Sequence, residues 1–313
     1  MGDCSPCEQH GGATCLASET LCLEHVLRRF EREAVRGTCD TGRYRCPYYT
    51  WGSGPPLVFV PGLADDSRFY LLPISLLAER FRCIAYDLPI GRGDGARLRQ
   101  YTHADLVEDL FALLDHLGVS RSYVYGSSFG STITLTALRS RPERLPRAIL
   151  QGGFAWRPLA FAEVQLARLA RYWPGTLGLM PFRTAALRRS HYAPFAARDP
   201  AVWQFYVSST GSLPLSAVAQ RALLLHKVDL RLALGEIRQP VLLICGDCDP
   251  LVPPWCGEEL LRGLPNASRV DVNDCGHFPY FTHPELVAEL LGRFLTPPAQ
   301  GTGAAVSMAT LPP

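Results

Sequence analysis

Short runs dominated by apolar residues recur along this chain and alternate with segments of helical character. The runs lie at residues 57–60, 82–86, 122–125, 147–150, 241–245 and 269–272. Runs of this length are typical of strands buried on both faces, and repeated alternation with helices favours parallel pairing. The sequence therefore predicts an α/β fold with a mostly parallel, doubly wound sheet and helices on both faces.

Local signals place further elements around these strands. Apolar residues between positions 23 and 34 have the spacing of one helix face, which predicts a helix that ends before Gly37. Residues 43–50 have the tyrosine content of a strand. Thr102, with Asp105 three residues later, predicts a capping box at the start of another helix.

The alternation is interrupted once, and this interruption suggests the domain organisation. Residues 154–236 are helical in composition and rich in proline, which indicates a helical cap inserted above the sheet. The α/β core is then expected to comprise residues 41–153 and 237–295. Residues 1–40 are interpreted as a tail followed by an amphipathic helix, and residues 296–313 as a disordered tail.

Composition excludes several classes of protein. Lysine and arginine number 31 against 29 acidic residues, so the net charge of +2 gives no reason to expect a nucleic-acid partner. No apolar segment is long enough for a membrane span, and residues 1–12 lack the apolar stretch of a secretory signal. We expect a cytoplasmic protein that acts on a small molecule. The oligomeric state is left open.

Six of the 11 cysteines lie within the first 46 residues. Cys4, Cys7, His10 and Cys15 could be drawn as a zinc site, but the spacing lacks a second matching pair. An odd number of cysteines without a secretory signal favours reduced thiols. We therefore expect neither a metal nor a cofactor.

The segment after the 122–125 strand carries a candidate nucleophile. It reads Gly126-Ser127-Ser128-Phe129-Gly130, a G-x-S-x-G pattern between a predicted strand and a predicted helix. Such a turn presents the central hydroxyl and requires glycines where neighbouring chain segments come close. Ser127 is adjacent, but only Ser128 has glycine at both −2 and +2.

Two later strand ends carry a candidate acid and a candidate base. Asp249 follows the 241–245 strand, with Asp247 as a competitor, and His277 follows the 269–272 strand. A carboxylate can orient an imidazole, and an imidazole can act as a general base. Ligand sites in open α/β sheets lie at the carboxyl ends of the strands, so we expect Ser128, Asp249 and His277 to meet there.

Over roughly residues 40–295 the chain resembles the α/β-hydrolase superfamily. The matching segments are VPGL at 60–63, GSSFG at 126–130, GDCDPLVP at 246–253 and CGHF at 275–278. The resemblance implies that Ser128 is the nucleophile, Asp249 the orienting acid and His277 the base. It also implies an oxyanion hole formed by the backbone N–H groups of Leu63 and Phe129, with Gly126 and Gly130 as the glycines of the turn.

The chain departs from the superfamily pattern at two positions. Pro61 stands where a histidine is usual, and the stretch at 87–93 has one residue more than the usual Asp-x-Pro-Gly-x-Gly. The resemblance implies a serine esterase that forms an acyl-enzyme on Ser128. A carbon–carbon bond hydrolase, an amidase or peptidase, and an acyltransferase would use the same residues, and a binding protein that has lost catalysis is the alternative of another class.

Charge is distributed unevenly between the insertion and the rest of the chain. Residues 154–238 contain 11 lysines and arginines and four acids, a charge of +7, which leaves −5 for the remainder. Together with its many aromatic residues, this charge could indicate an anionic or aromatic substrate. The simpler interpretation is that the arginines lie on solvated helix faces. An acidic membrane surface is a further alternative.

Overall fold

The computed structural model describes residues 21–181, 183–190 and 194–296. Its strands are β1 (Val35–Asp40), β2 (Arg45–Trp51), β3 (Pro56–Val60), β4 (Arg82–Tyr86), β5 (Tyr123–Ser127), β6 (Ala148–Gln151), β7 (Val241–Gly246) and β8 (Ala267–Val272). They form one sheet in the order β1-β2-β4-β3-β5-β6-β7-β8. Pairing is antiparallel between β1 and β2 and between β2 and β4, and parallel elsewhere. The predicted mostly parallel sheet is confirmed.

Helices connect these strands and cover the sheet. The α-helices are α1 (Leu23–Glu33), α2 (Leu71–Leu77), α3 (His103–His116), α4 (Phe129–Ser140), α5 (Phe161–Ala170), α6 (Arg183–Ser190), α7 (Phe195–Arg198), α8 (Pro200–Ser212), α9 (Leu215–Lys227), α10 (Pro254–Gly263), α11 (Pro279–Thr282) and α12 (Pro284–Leu295). Short 3₁₀ turns lie at Ser67–Tyr70, Leu98–Gln100, Leu177–Leu179 and Arg231–Glu236. Thr102 and Asp105 form the predicted capping box at the start of α3.

The central strands are apolar throughout because both sheet faces are buried. Successive side chains of a strand point to opposite faces, so β3 contributes to two separate cores. Val58 and Val60 pack in the core that contains residues of α3 and α4. Leu57 and Phe59 pack in the core that contains residues of α1, α2 and α12.

The first strand was not predicted. Helix α1 ends at Glu33, and Val35–Asp40 then pairs with β2 at the edge of the sheet, although residues 1–40 were expected to precede the core. Most of β1 is exposed and only Cys39 is buried. An edge strand with one buried side chain shows little apolar alternation, so the sequence carries no clear signal for it.

The five helices α5 to α9 form a helical insertion between β6 and β7, which in this article denotes residues 154–236. Val164 and Ala167 of α5 pack against Ala219 and Leu223 of α9. The candidate zinc residues lie outside the described part of the chain, as do residues 1–20 and all but the first residue of the predicted tail at 296–313. Among the described residues, the cysteines are free thiols, and none of the helices has the length and apolar character to cross a membrane.

Candidate active site

The 126–130 turn connects β5 to α4 in a backbone conformation that few residue types can adopt. Ser128 has φ 50° and ψ −117°, a region that non-glycine residues rarely occupy. A Cβ atom on Gly126 would lie 2.4 Å from Thr134 Oγ1, and one on Gly130 would lie 2.3 Å from the carbonyl oxygen of Val60. Both flanking glycines are therefore required by close approach of neighbouring chain segments.

Hydrogen bonds on both sides hold Ser128 in this turn. Its N–H donates to the carbonyl oxygen of Gln151 at 2.9 Å, and its own carbonyl accepts from the N–H of Ser131 at 2.9 Å. Phe129 is the first residue of α4, where a backbone N–H has no acceptor within the helix. That N–H and the positive end of the α4 dipole are thus available beside the half-buried Ser128.

Asp249 and His277 form a buried pair. His277 Nδ1 lies 2.7 Å from Asp249 Oδ2, and the two side chains are 3% and 6% exposed. Burial acts to raise the pKa of Asp249, but the charge and hydrogen bond of His277 outweigh it, so that the pKa is lowered. The backbone N–H groups of Val252 and Leu251 also donate to Asp249 and contribute in the same direction.

Ser127 and Asp247, the alternatives to Ser128 and Asp249 in the sequence, are engaged in other hydrogen bonds. Ser127 is fully buried, and its hydroxyl donates to Gln151 Oε1 at 2.9 Å. Asp247 Oδ1 accepts from the backbone N–H of Cys275 at 3.1 Å and so ties the two loops together. Neither residue contacts the His277 ring through a hydrogen bond in the described structure.

Gln151, at the end of β6, connects the candidate nucleophile and the candidate base. Its carbonyl oxygen accepts from Ser128, and its side-chain amide donates to the carbonyl oxygen of His277 at 2.8 Å. A Cβ atom on the next residue, Gly152, would lie 2.9 Å from His277 Cε1. Within the described residues, no hydrogen bond joins the Ser128 hydroxyl to His277. Such bonds are often long in ligand-free enzymes.

Sequence reasoning missed Gln151. The available signal was a polar residue at the end of an otherwise apolar strand, on the strand next to the G-x-S-x-G turn. That signal is weak because a glutamine at a strand end is usually exposed, whereas this one has no exposed surface.

The 61–65 loop, which follows β3, is held from within the core by Asp65. The Gly62 N–H donates to Asp65 Oδ2 at 2.9 Å, and the hydroxyls of Tyr70 and Tyr280 approach the same oxygen at 3.3 and 3.4 Å. Burial raises the pKa of Asp65 to about 6, against the opposing effect of the Gly62 N–H. Asp65 thus braces a loop in which Pro61 replaces the usual histidine.

The same loop is held from the helical insertion by Arg221 of α9. Arg221 is 3% exposed, and its guanidinium donates to the carbonyl oxygens of Leu63 at 3.0 Å, Leu88 at 3.0 Å and Pro89 at 3.3 Å. Burial lowers its pKa to about 10, which leaves it charged at neutral pH. From the sequence alone Arg221 is only one of the 11 basic residues at 154–238.

Two other arginines of the helical insertion contact the remaining loops of the site. Arg157 Nε donates to the carbonyl oxygen of Leu251, beside Asp249, at 2.8 Å. Arg198 donates to the carbonyl oxygen of Asp274 at 3.1 Å and forms an ion pair with its carboxylate. Arg157, Arg198 and Arg221 thus each reach a different loop of the core. Arg198 is nevertheless exposed, and Arg168 and Arg188 lie on solvated faces of the insertion.

A cavity of about 560 Å³ lies between the helical insertion and the core. Arg221, residues 212–214 and residues of the 65–68 and 87–94 segments line it, whereas Ser128, Asp249 and His277 do not. Four aspartates and four arginines contribute to its wall, together with apolar side chains such as Leu88, Ile90 and Leu213. Among the described residues, no group of three or more histidine, cysteine or acidic side chains is arranged to hold a metal ion.

Comparison with known proteins agrees with this architecture. A family model described as "alpha/beta hydrolase fold" matches residues 55–284. A pimeloyl-[acyl-carrier protein] methyl ester esterase from Nitrosomonas europaea is 30% identical over 250 residues, which cover 75% of this chain and 94% of the relative.

Solved structures give the same result for the fold. An esterase from Thermogutta terrifontis superposes with a TM-score of 0.74 at 24% identity, over 83% of this chain and 98% of that one. An enol-lactonase from Burkholderia xenovorans superposes with a TM-score of 0.73 at 22% identity, over 83% and 99%. The residues matched by the family model include the six strands β3 to β8 and the loops that carry Ser128, Asp249 and His277. The chain belongs to the alpha/beta hydrolase fold family.

Proposed function

We propose that this protein is a serine hydrolase that cleaves a carboxylic ester through an acyl-enzyme on Ser128. The observation that carries the proposal is the buried His277–Asp249 hydrogen bond, at the same edge of the sheet as the strained Ser128 turn. An imidazole oriented by a buried carboxylate is suited to accept a proton from a serine hydroxyl. The names of the similar esterases support an ester as substrate.

In this mechanism Ser128 Oγ attacks the ester carbonyl carbon while His277 accepts its proton. Asp249 stabilises the resulting imidazolium, as its lowered pKa favours the carboxylate form. His277 then protonates the departing alkoxide, and an acyl-enzyme remains on Ser128. Water attacks the acyl carbon, gives a proton to His277, and the acid leaves as that proton returns to Ser128.

The oxyanion of each tetrahedral intermediate would be bound by the N–H groups of Phe129 and Leu63. The Leu63 N–H belongs to the peptide unit that joins Gly62 to Leu63. On one side of this unit the Gly62 N–H donates to Asp65. On the other side the Leu63 carbonyl oxygen accepts from Arg221. Contacts on both sides of a peptide unit fix its orientation before substrate binds. Stabilisation of the oxyanion requires such preorganised N–H donors.

We further propose that the helical insertion acts as a cap over a small or medium-sized substrate. Its support is the contact of Arg157, Arg198 and Arg221 with the three loops that carry the acid, the base and the Leu63 amide. We also propose a cytoplasmic location, which the free thiols among the described cysteines support because thiols persist in reducing compartments.

Labelling with a fluorophosphonate probe tests the nucleophile. The wild type should react and Ser128→Ala should not, while Ser127→Ala, the matched control one residue away, should still react. Mass spectrometry should place the phosphonyl group on the peptide that contains Ser128. Equal labelling of Ser128→Ala and the wild type would rule out Ser128, and absence of labelling in all three folded proteins would favour a binding protein. A panel of esters, amides and carbamates then identifies the bond cleaved.

A further inference from the structure

The outer side of the helical insertion exposes an unusual amount of apolar surface. Seven large apolar side chains within 20 residues of chain are between 39% and 81% exposed. We call this set the outer apolar patch; it consists of Phe161, Leu166, Leu169, Tyr172, Trp173, Leu179 and Met180. Contiguous exposed apolar surface of this kind marks a site of interaction rather than an ordinary solvated face.

Helix α5 is apolar on two opposite sides. Val164 and Ala167 face α9 and are buried. At about 100° per residue, Phe161, Leu166 and Leu169 lie within an arc of about 140° that does not include those two buried positions. One side of α5 therefore packs the helical insertion, and the other side presents large apolar groups outward.

The remaining members of the patch are continuous with this helix. The N–H groups of Tyr172 and Trp173 donate to the carbonyl oxygens of Leu169 and Ala170, so the chain keeps a helical turn beyond α5. A Cβ atom on Gly175 would lie 2.7 Å from the Trp173 ring and 3.3 Å from the Leu179 side chain. Trp173 and Leu179 therefore border the same small space and extend the patch.

Basic side chains surround these apolar groups. The guanidinium carbons of Arg99 and Arg171 lie 5.5 and 4.9 Å from the Tyr172 ring centroid, and Arg168 is exposed on α5. In the described part of the chain, no carboxylate lies within 4.0 Å of these three arginines. Glu163 is the acid on α5, and its carboxylate is engaged with the N–H of Ala160 at 2.8 Å.

The combination of charge and surface chemistry identifies the partner. A second copy of this chain related by a two-fold axis would bring the same arginines against each other, which is unfavourable. Aromatic and aliphatic side chains bordered by arginines are suited to the boundary between lipid headgroups and acyl chains. Residues 154–238 carry a charge of +7 against −5 on the rest. Although Arg157, Arg198 and Arg221 contact core loops, the remaining excess of basic residues would also orient this segment toward an anionic surface.

We propose that the outer apolar patch docks this protein onto the surface of an anionic phospholipid bilayer. The apolar side chains enter the headgroup boundary, and Arg99, Arg168 and Arg171 contact lipid phosphates. The inference concerns a surface that includes none of the proposed catalytic residues. Binding should consequently persist in Ser128→Ala.

Sedimentation with vesicles of phosphatidylcholine alone, or mixed with 30–50% phosphatidylglycerol, tests the proposal. The wild type should bind the anionic vesicles, and Arg168→Gln/Arg171→Gln should bind them about fivefold more weakly for each arginine removed. Phe161→Ser/Leu169→Ser should bind at least about tenfold more weakly. Val35→Ser and Arg262→Gln are the matched controls for the apolar and the basic variants. They change exposed residues outside the helical insertion and should bind like the wild type.

Two further measurements separate the outcomes. Lipids with brominated acyl chains should quench tryptophan fluorescence, and Trp173→Phe should reduce this quenching while binding is retained. Failure of the wild type to bind any anionic vesicle, or binding of the patch variants equal to that of the controls, would overturn the proposal. Sedimentation velocity that shows a dimer dissociated by Phe161→Ser/Leu169→Ser would identify a second copy as the partner instead.

Discussion

The two loops that would surround the reacting carbonyl are shaped in different ways. The 126–130 turn is formed by contacts inside the core: two glycines meet β3, α4 and each other at close range, and β6 accepts the Ser128 N–H. The 61–65 loop depends on distant residues, because Tyr280 approaches Asp65 from near the end of the chain and Arg221 reaches Leu63 from the helical insertion. The 126–130 turn is determined mainly by close packing of the chain, and the 61–65 loop mainly by hydrogen bonds to side chains.

This difference indicates where the site can be altered. Steric requirements at the 126–130 turn admit almost no substitution. A Cβ atom on Gly130 would meet only backbone atoms, and one on Gly126 would meet the buried Thr134 side chain and the Gly130 carbonyl oxygen. The 61–65 loop depends on side chains, and these can be exchanged one at a time. We therefore expect all-or-none effects at the turn and graded effects at the loop.

The largest effect is expected from Gly130→Ala. Its new Cβ would lie 2.3 and 2.7 Å from the backbone oxygens of Val60 and Pro61 and would displace both loops. Displacement by about 1 Å can lower the rate about 100-fold, so kcat/KM should fall at least that much. Gly235→Ala, where the added atom has no neighbour within 4 Å, is the control. Ester hydrolysis at near wild-type rates in Gly130→Ala would refute the steric account.

Arg221→Met should have a smaller effect on turnover. It leaves three buried carbonyl oxygens without a donor and frees the Leu63 peptide unit, while Phe129 stays in place. Since loss of one oxyanion donor costs about 100- to 1,000-fold, loosening one should lower kcat about 10- to 100-fold with little change in KM.

Arg221→Lys and added guanidinium test whether Arg221 acts through its hydrogen bonds. Lysine retains the charge without the planar fork, so it should restore activity only in part. Guanidinium at millimolar concentration should raise kcat of Arg221→Ala but not that of Arg168→Ala. Equal losses in kcat for Arg221→Met and Arg168→Met, measured well below both melting temperatures, would contradict a role in positioning Leu63.

His103, beside the 126–130 turn, and Asp65, in the 61–65 loop, should change the free energy of unfolding in opposite directions as pH falls. His103 lies against Phe129, and its Nε2 is 2.9 Å from Thr132 Oγ1. Burial lowers the pKa of His103 to about 4, so the unfolded chain binds a proton more readily between pH about 6.5 and 4. The folded state should lose on the order of 2 kcal/mol as pH falls through this range. Urea unfolding of His103→Gln should show a smaller loss on acidification than the wild type.

Asp65 is expected to act in the other direction and somewhat more weakly. Because burial raises its pKa to about 6, the folded state binds the proton more readily than the unfolded chain between pH about 4 and 6. Its contribution to stability is therefore present below pH about 4 and is lost as pH rises through 6, by on the order of 1–2 kcal/mol. Asp65→Asn should remove this loss in urea unfolding. If the free energy of unfolding of Asp65→Asn depends on pH in the same way as that of the wild type, Asp65 does not titrate with a raised pKa in the folded state.

Much of the fold follows from patterns that act over short distances along the chain. The apolar runs marked β3 to β8, and Thr102 with Asp105 marked the start of α3, because burial on both faces and helix capping each impose a local sequence requirement. The edge strand β1 gave no such signal since only Cys39 among its residues is buried.

The candidate site divides in the same way. The glycines around Ser128, and the positions of Asp249 and His277 after two strands, could be recognised because parallel strands bring their carboxyl ends to one edge. Gln151 and Asp65 could not be recognised as members of the site. Their importance comes from burial beside residues far away in the sequence, and a polar residue in a loop or at a strand end does not reveal such burial.

The sequence by itself determined the parallel sheet, the place of the helical insertion and the order of the candidate nucleophile, acid and base. Periodicity and the steric needs of a tight turn are written in neighbouring residues, so they can be read without coordinates. Only the tertiary structure decided which arginines of the insertion serve the core and which face outward. Arg221 and Arg171 are the same residue type in the same basic segment, but one is buried against three backbone carbonyls and the other borders exposed aromatic surface. That distinction depends on how α5 and α9 pack, because burial of a charge is a property of the whole fold.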